Sequence, residues 1–331
     1  MSVEQKPKVA WVFPGQGSQF VGMAADLYST YPGVKKTLDV ANDTLGPFST
    51  GSGGKFLTEL MFKGPIEVLT ETRVTQPGLL AYGEVCRELF EDENNGDFSE
   101  WEISTSGHSL GLYTALVAAG ALSFEEALRL VQIRGEAMQE ACIQNPGGLY
   151  VVRMETSEEN EAELINLVSP IGVDVASVNN GEQFVVGGLK KSLDQLPALL
   201  EPARIRGFLL KGVAGPFHTR HMQPARERLL PALESSPIKP PVVGIVGNTK
   251  AWVLETVEQI RQELEAQLTS AVRWKDAVLK LRQEGVQRFV EFGTKTTLTD
   301  MNPKIIGEGR AEKILTSLGL HIATSWEPVT S

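Results

Sequence analysis

The chain has 331 residues, 42% of them hydrophobic and 22% charged, and a formal net charge of −10. That length holds one large domain or a large and a small one. The acidic balance speaks against general nucleic-acid binding, no apolar run approaches the ~20 residues that span a bilayer, and the polar start Met1–Lys8 lacks the apolar core of a signal peptide.

Val9–Phe13 is a short apolar run closed by Pro14, the pattern of a buried strand. The loop Gly15-Gln16-Gly17-Ser18-Gln19 comes next, then an amphipathic stretch predicted as helix over Phe20–Tyr28. The loop lacks the G-x-x-x-x-G-K-[ST] of a phosphate cradle. It reads either as a plain polar turn or as a source of uncharged donors, Gln16 and Gln19, at a strand's C-terminal end. Pro47–Lys55 is a Gly/Ser-rich flexible loop, Ile66–Thr70 a short helix, and Gln76-Pro77 opens a helix over Gly78–Phe90. Cys86 there and Cys142 further on sit in helix-like runs and read as buried thiols of a reducing cytoplasm.

After the acidic loop Glu91–Glu100, Trp101–Ser106 is polar for a strand, and is assigned as one because the motif after it needs a strand there. Gly107-His108-Ser109-Leu110-Gly111 reads G-x-S-x-G and runs into a helix-forming stretch, Leu112–Ala119. A serine on such a bend is a candidate nucleophile for acyl chemistry, and the Leu110 amide at the helix start can stabilise an oxyanion. Ser123-Phe-Glu-Glu126 is a capping box opening a helix to about Gln144. Ala127, Val131, Met138 and Cys142 share one face of it, and Arg134 falls on that same apolar face. An inward arginine is either a structural ion pair or a clamp for a substrate carboxylate.

Between about 148 and 212 the predicted order is βαββαβ: strands Gly148–Met154, Val173–Asn179, Glu182–Gly188 and Arg204–Leu210, helices Ser157–Val168 and Lys190–Leu200, and a hairpin at Asn180-Gly181. That is the order of a ferredoxin-like unit inserted into a larger, mainly parallel α/β domain. From Lys190 to Arg228, eight basic residues stand against three acids, either a solvated face or an anion-facing surface. Gly215-Pro-Phe-His218 then leads into a helix, Val242–Val246 is a buried strand ending at Gly247-Asn248-Thr249, two helices come after it (Thr256–Leu268, Trp274–Glu284), and Arg288–Phe292 is the last strand. A serine nucleophile needs a base, and histidine is the usual one. His108 is its chain neighbour, His321 lies in the tail, and His218 and His221 come after an apolar loop. The i, i+3 spacing of that pair has no H-E-x-x-H or cysteine cluster around it, so a metal site is not expected.

Six segments in this order, Val12-Phe-Pro-Gly-Gln-Gly-Ser-Gln19, Thr75-Gln-Pro77, Gly107-His-Ser-Leu-Gly111, Gln132-Ile-Arg-Gly135 with Met138-Gln-Glu-Ala141, Gly215-Pro-Phe-His218 and Glu291-Phe-Gly293, resemble the malonyl-CoA:acyl carrier protein transacylases and the related polyketide synthase acyltransferases over about residues 8–310. The resemblance implies an α/β-hydrolase-like large domain (1–147 and 213–318), a ferredoxin-like small domain (148–212) and a tail (319–331). It implies Ser109 as nucleophile, His218 as base, Gln16 and the Leu110 amide as oxyanion hole, Arg134 as anchor of the malonyl carboxylate, Gln76 in the same pocket, and Phe217 as a residue that goes with malonyl. Leu112 stands where many members carry glutamate, Arg273 where many carry a glutamine whose backbone carbonyl orients the histidine, and Gly293-Thr-Lys295 replaces a commoner Gly-Pro-Gly. Malonyl-CoA and an acyl carrier protein are the expected partners of a cytoplasmic monomer that needs no cofactor and no metal. The alternative on the same scaffold is an acyl hydrolase, for which a carboxylate anchor would have no use.

Overall fold

The computed structural model describes residues 6–51, 53–213, 215–306 and 311–315. The expectations for the tail and for His321 lie outside them. In chain order the strands are β1 (Lys8–Phe13), β2 (Phe48–Thr50), β3 (Gly53–Lys55), β4 (Glu102–Gly107), β5 (Gly147–Arg153), β6 (Val173–Asn180), β7 (Gln183–Leu189), β8 (Arg206–Leu209), β9 (Gly244–Val246), β10 (Arg288–Gly293) and β11 (Ala311–Leu315).

The large sheet is parallel, in the order β11-β10-β1-β4-β9. Its centre is β1, which explains that strand's unbroken apolar run, since both faces are buried. Val9, Trp11 and Phe13 pack toward the helices Thr72–Glu93, Gly111–Ala118 and Phe124–Gln144. Ala10 and Val12 pack on the other face, with Trp274, Val278 and Leu281 of the helix Trp274–Gln283. The polar strand β4 sits beside β1 because its buried hydroxyls find carbonyl partners: Ser106 Oγ donates to Val246 O at 2.8 Å, and Thr105 Oγ1 to Ala115 O and Gly244 O at 3.4 Å. Trp101, just before it, is fixed against Phe90 and Phe98.

The smaller sheet, antiparallel, has the order β6-β7-β5-β8. This is the ferredoxin-like arrangement of two interleaved βαβ units. Its helices pack Leu164, Val168, Leu193, Leu196 and Leu200 onto Tyr150, Val152, Phe184 and Val186. The small sheet meets the large domain along β6: Val178 N donates to Val272 O at 2.9 Å, just before the helix Trp274–Gln283, and Arg273 and Lys304 pair with Glu161 and Glu182 at 2.6 and 2.8 Å.

Four local expectations are corrected. The first helix spans only Ala25–Thr30, because Gly22 and Ala24 both take positive φ and break the stretch before it. Pro47–Lys55 contains the hairpin β2–β3 rather than a structureless loop, anchored by buried Phe48. The helix expected at Gly78 begins at Thr72 and encloses Pro77. Tertiary packing overrides the proline there: a Cβ on Gly135 would lie 2.9 Å from Arg73 Cα, so that glycine lets the Phe124–Gln144 helix close onto the helix's first turn. The helix expected over Lys190–Leu200 is two short ones, Lys190–Leu193 and Leu196–Leu200. Pro197 has no N–H to join them.

Candidate active site

β4 ends in the sharp bend that carries Ser109. Ser109 itself has φ 54°, a left-handed conformation that an L-residue holds only where its surroundings enforce it. A Cβ on Gly107 would lie 2.0 Å from the Gly111 carbonyl carbon, and one on Gly111 would lie 1.9 Å from Phe13 O. Both glycines of the motif are therefore required by contact. Leu110 is helical (φ −52°, ψ −41°) and opens the Gly111–Ala118 helix, and its N–H bonds to no described residue.

Ser109 Oγ lies 2.7 Å from His218 Nε2. His218 Nδ1 lies 2.8 Å from the Gln267 carbonyl oxygen. A carbonyl can only accept, so Nδ1 carries the proton and Nε2 is left free to accept from the serine. The imidazole is buried, and this burial, together with the charge of Arg134, pushes its pKa down to about 3. It is therefore neutral at ordinary pH. His218 is also held at positive φ, 61°, and the loop before it fits closely: a Cβ on Gly215 would meet Cys142 Sγ at 2.1 Å.

Arg134 is 1% exposed and has no acidic partner among the described residues. Its Nη1 donates to Gln76 Oε1 at 2.6 Å, and its Nη2 to Gln267 Oε1 at 2.9 Å and to Ser109 Oγ at 3.0 Å. Its Nε is unpartnered among the described residues, and the guanidinium stands 5.5 Å from the Tyr113 ring centroid. What a buried guanidinium with only neutral partners can do chemically is receive an anionic group. Gln76 is oriented in turn by Met138, its Nε2 lying 3.2 Å from Sδ.

These groups line one cavity of about 470 Å³ between the two sheets, with Gln16, Leu110, Phe217, Asn179 and Lys211 on its walls. The Gln16 loop is pressed against the serine bend, since a Cβ on Gly15 would lie 2.8 Å from His108 O. It is braced from behind by Thr294, whose Oγ1 donates to Ser18 O at 2.8 Å. Glu291 accepts from the amides of Leu298 and Thr299, and so fixes the short helix that presents Leu298 to the same cavity. All seven residues singled out from the sequence (Gln16, Gln76, Ser109, Leu110, Arg134, Phe217 and His218) line this cavity. His108 points away from the serine, with Nε2 2.9 Å from Asn179 Oδ1, and His221 reaches Gly172 O at 3.1 Å. Among the described residues no cluster of three or more His, Cys, Asp or Glu could hold a metal ion.

One assignment moves. The carbonyl on His218 belongs to Gln267, at the end of the Val257–Gln267 helix, and not to Arg273. Arg273 instead pairs with Glu161 at 2.6 Å, while its amide donates to Asn248 O at 2.8 Å. Gln267 and Asn248 are the site residues that the sequence motifs leave out. Both are 0% exposed. A glutamine between the buried Leu264 and Leu268 was the available signal for the first. Position at the end of a parallel strand was the signal for the second.

Residues 10–318 match the family described as acyl transferase domain. The malonyl CoA-acyl carrier protein transacylase of Bacillus subtilis (strain 168) is 36% identical over 301 residues, 90% of each chain. A solved malonyl-transacylase in complex with its type II PKS acyl-carrier protein is 32% identical, with a TM-score of 0.83 over 94% of this chain and 96% of that one. The acyl carrier protein S-malonyltransferase of Vibrio cholerae is 30% identical, with a TM-score of 0.82 over 93% and 96%.

Proposed function

The chain belongs to the acyl transferase domain family, and from that premise we propose that it moves a malonyl group from malonyl-CoA to the phosphopantetheine thiol of an acyl carrier protein, through a malonyl-serine. His218 Nε2 takes the Ser109 proton as Oγ attacks the thioester carbonyl. The Leu110 N–H and the Gln16 loop receive the oxyanion. The tetrahedral intermediate expels the CoA thiolate, which takes the proton from His218. The carrier thiol then gives its proton to His218 and attacks the malonyl-serine, and the serine leaves with that proton. No metal or cofactor enters these steps.

The observation that carries this reading is the buried Arg134, without an acidic partner among the described residues, reaching to 3.0 Å of the nucleophilic oxygen. A carboxylate on the acyl group supplies the missing counter-charge. A neutral acyl chain leaves the cation unpaired. Phe217 lines the same pocket, and in the acyltransferases that the chain resembles a phenylalanine before the histidine goes with malonyl, which supports malonyl over a branched homologue. Of the eight basic residues from Lys190 to Arg228, Arg220, Arg226 and Arg228 are neutralised by Asp174, by Glu265, and by Glu136 with Glu140. Lys190, Lys191, Arg204, Arg206 and Lys211 are not, among the described residues. They form the surface offered to CoA phosphates and to an acidic carrier, with Lys211 at the cavity wall. We assign residues 1–147 and 213–318 to the catalytic domain and 148–212 to the small one, in a cytoplasmic monomer. Intact-mass measurement after mixing with malonyl-CoA tests the mechanism. One malonyl unit is gained by the parent protein and none by Ser109→Ala. Absence of an adduct on the parent protein would sink it.

A further inference from the structure

The serine bend is held by side chains from a neighbouring strand, and the geometry points to Asn248, locked by Glu263, as the residue that positions Ser109 for attack. The inference rests on the acyl-transfer reading above and adds a positioning pair that touches neither substrate nor the reacting oxygen. β9 runs parallel to β4 with Ser106 opposite Val246, so Asn248 falls beside the bend where the β4 backbone turns away. A backbone ladder ends there, and the Asn248 carboxamide, planar like a peptide, continues it. Its Nδ2 donates to Gly107 O at 2.7 Å and its Oδ1 accepts from Ser109 N at 2.8 Å. Gln267 Nε2 adds a bond to Ser109 O at 3.0 Å and one to Asn248 Oδ1, also at 3.0 Å. Both backbone polar groups of the left-handed serine are thus taken by side-chain amides.

Asn248 is itself fixed from below. Glu263 Oε1 accepts from Asn248 N at 2.7 Å and Thr249 N at 3.0 Å, and its Oε2 accepts from Thr249 Oγ1 at 2.6 Å. The close approach needs Gly247, where a Cβ would lie 2.7 Å from Glu263 Oε2. Glu263 and Gln267 are one helical turn apart on the Val257–Gln267 helix. That single helix therefore orients the serine through Asn248 and the histidine through its last carbonyl. A free Ser109 backbone would relax toward ordinary φ. It would carry Oγ away from His218 Nε2 while leaving the acyl pocket walls in place, so the acylation rate falls and substrate binding does not.

Rapid-quench acylation with malonyl-CoA on the full chain tests this, with intact mass as the readout and thermal unfolding as the check on folding. Asn248→Ala is expected to slow malonyl-serine formation by about 30-fold or more, with the half-saturating malonyl-CoA concentration changed by less than about twofold. Glu263→Gln, equal in volume but with one acceptor oxygen fewer, is expected to slow it by roughly 3- to 10-fold. The double variant should be no slower than Asn248→Ala alone, because the two act through one path. Rates within threefold of the parent in Asn248→Ala, additive losses in the double variant, or loss of folding in both single variants would each overturn the proposal. A parent protein that forms no adduct would instead sink the acyl-transfer reading, which keeps the two failures distinct.

Discussion

At the scale of single residues, the site combines a neutral histidine with a cation that has no counter-ion among the described residues. His218 stays unprotonated far below the usual histidine value of about 6.5, first through burial and then through the Arg134 charge. The acidic limb of kcat/KM for malonyl transfer is therefore expected well below pH 6, and Arg134→Ala should move it upward by removing a positive neighbour. A limb that does not move would uncouple the two groups. The same depressed pKa has a cost in stability. As pH falls from about 6.5 toward 3, the unfolded chain takes up the proton that folded His218 refuses, and the fold steadily loses stability from this group. Arg134→Ala is also expected to cut malonyl transfer by 100-fold or more and acetyl transfer by less than tenfold, and equal losses would make the arginine structural. The residues of this chemistry were legible because short motifs carried them: Ser109 between its glycines, Arg134 on an apolar helix face. Asn248 and Gln267 were not, since a lone amide gains meaning only from the strand register and helix end that bring it to the serine.

At the scale of elements, the bend, the Phe124–Gln144 helix and the loop before His218 are set by where a side chain cannot fit. Gly135→Ala places a methyl against the Arg73 backbone and is expected to destabilise by about 1–3 kcal/mol, read by denaturant titration. Because Arg134 is its neighbour, the same variant should lose malonyl preference before it loses folding. Ser123→Ala, removing the N-cap bond to the Glu126 amide, serves as comparison: about 1 kcal/mol less stable with unchanged preference. Periodicity and turn chemistry disclosed most elements. β1 showed its two-sided burial as a continuous apolar run, and the βαββαβ order specified the small sheet. What they did not disclose were outcomes decided by tertiary contact. β4 is central although polar, because Val246 and Ala115 carbonyls accept its hydroxyls, and Pro77 is tolerated inside a helix packed onto Gly135.

At the scale of the whole molecule, both parts of the fold wall the cavity, Ser109 and Leu110 from the bend after β4 and Ala176, Ser177 and Val185 from β6 and β7, and the five basic residues left unneutralised fall between Lys190 and Lys211. Lys190→Glu with Lys191→Glu is expected to slow transfer to the carrier several-fold at low salt, an effect that shrinks as ionic strength rises. Malonyl-serine formation at saturating malonyl-CoA should stay within about twofold. An unchanged carrier dependence would remove these lysines from the docking surface. The strand order has a different consequence, for how the protein comes into being. β1 is made before both of its neighbours, and β4 follows it at Glu102–Gly107, but β10, which covers its other edge, ends at residue 293. Until then the most apolar strand presents a bare row of amides and carbonyls, the kind of edge that recruits foreign strands. A nascent chain stopped before residue 288 should therefore be aggregation-prone even with its serine bend already made. Addition of the missing segment in trans, rather than any ligand of the cavity, should be what protects it.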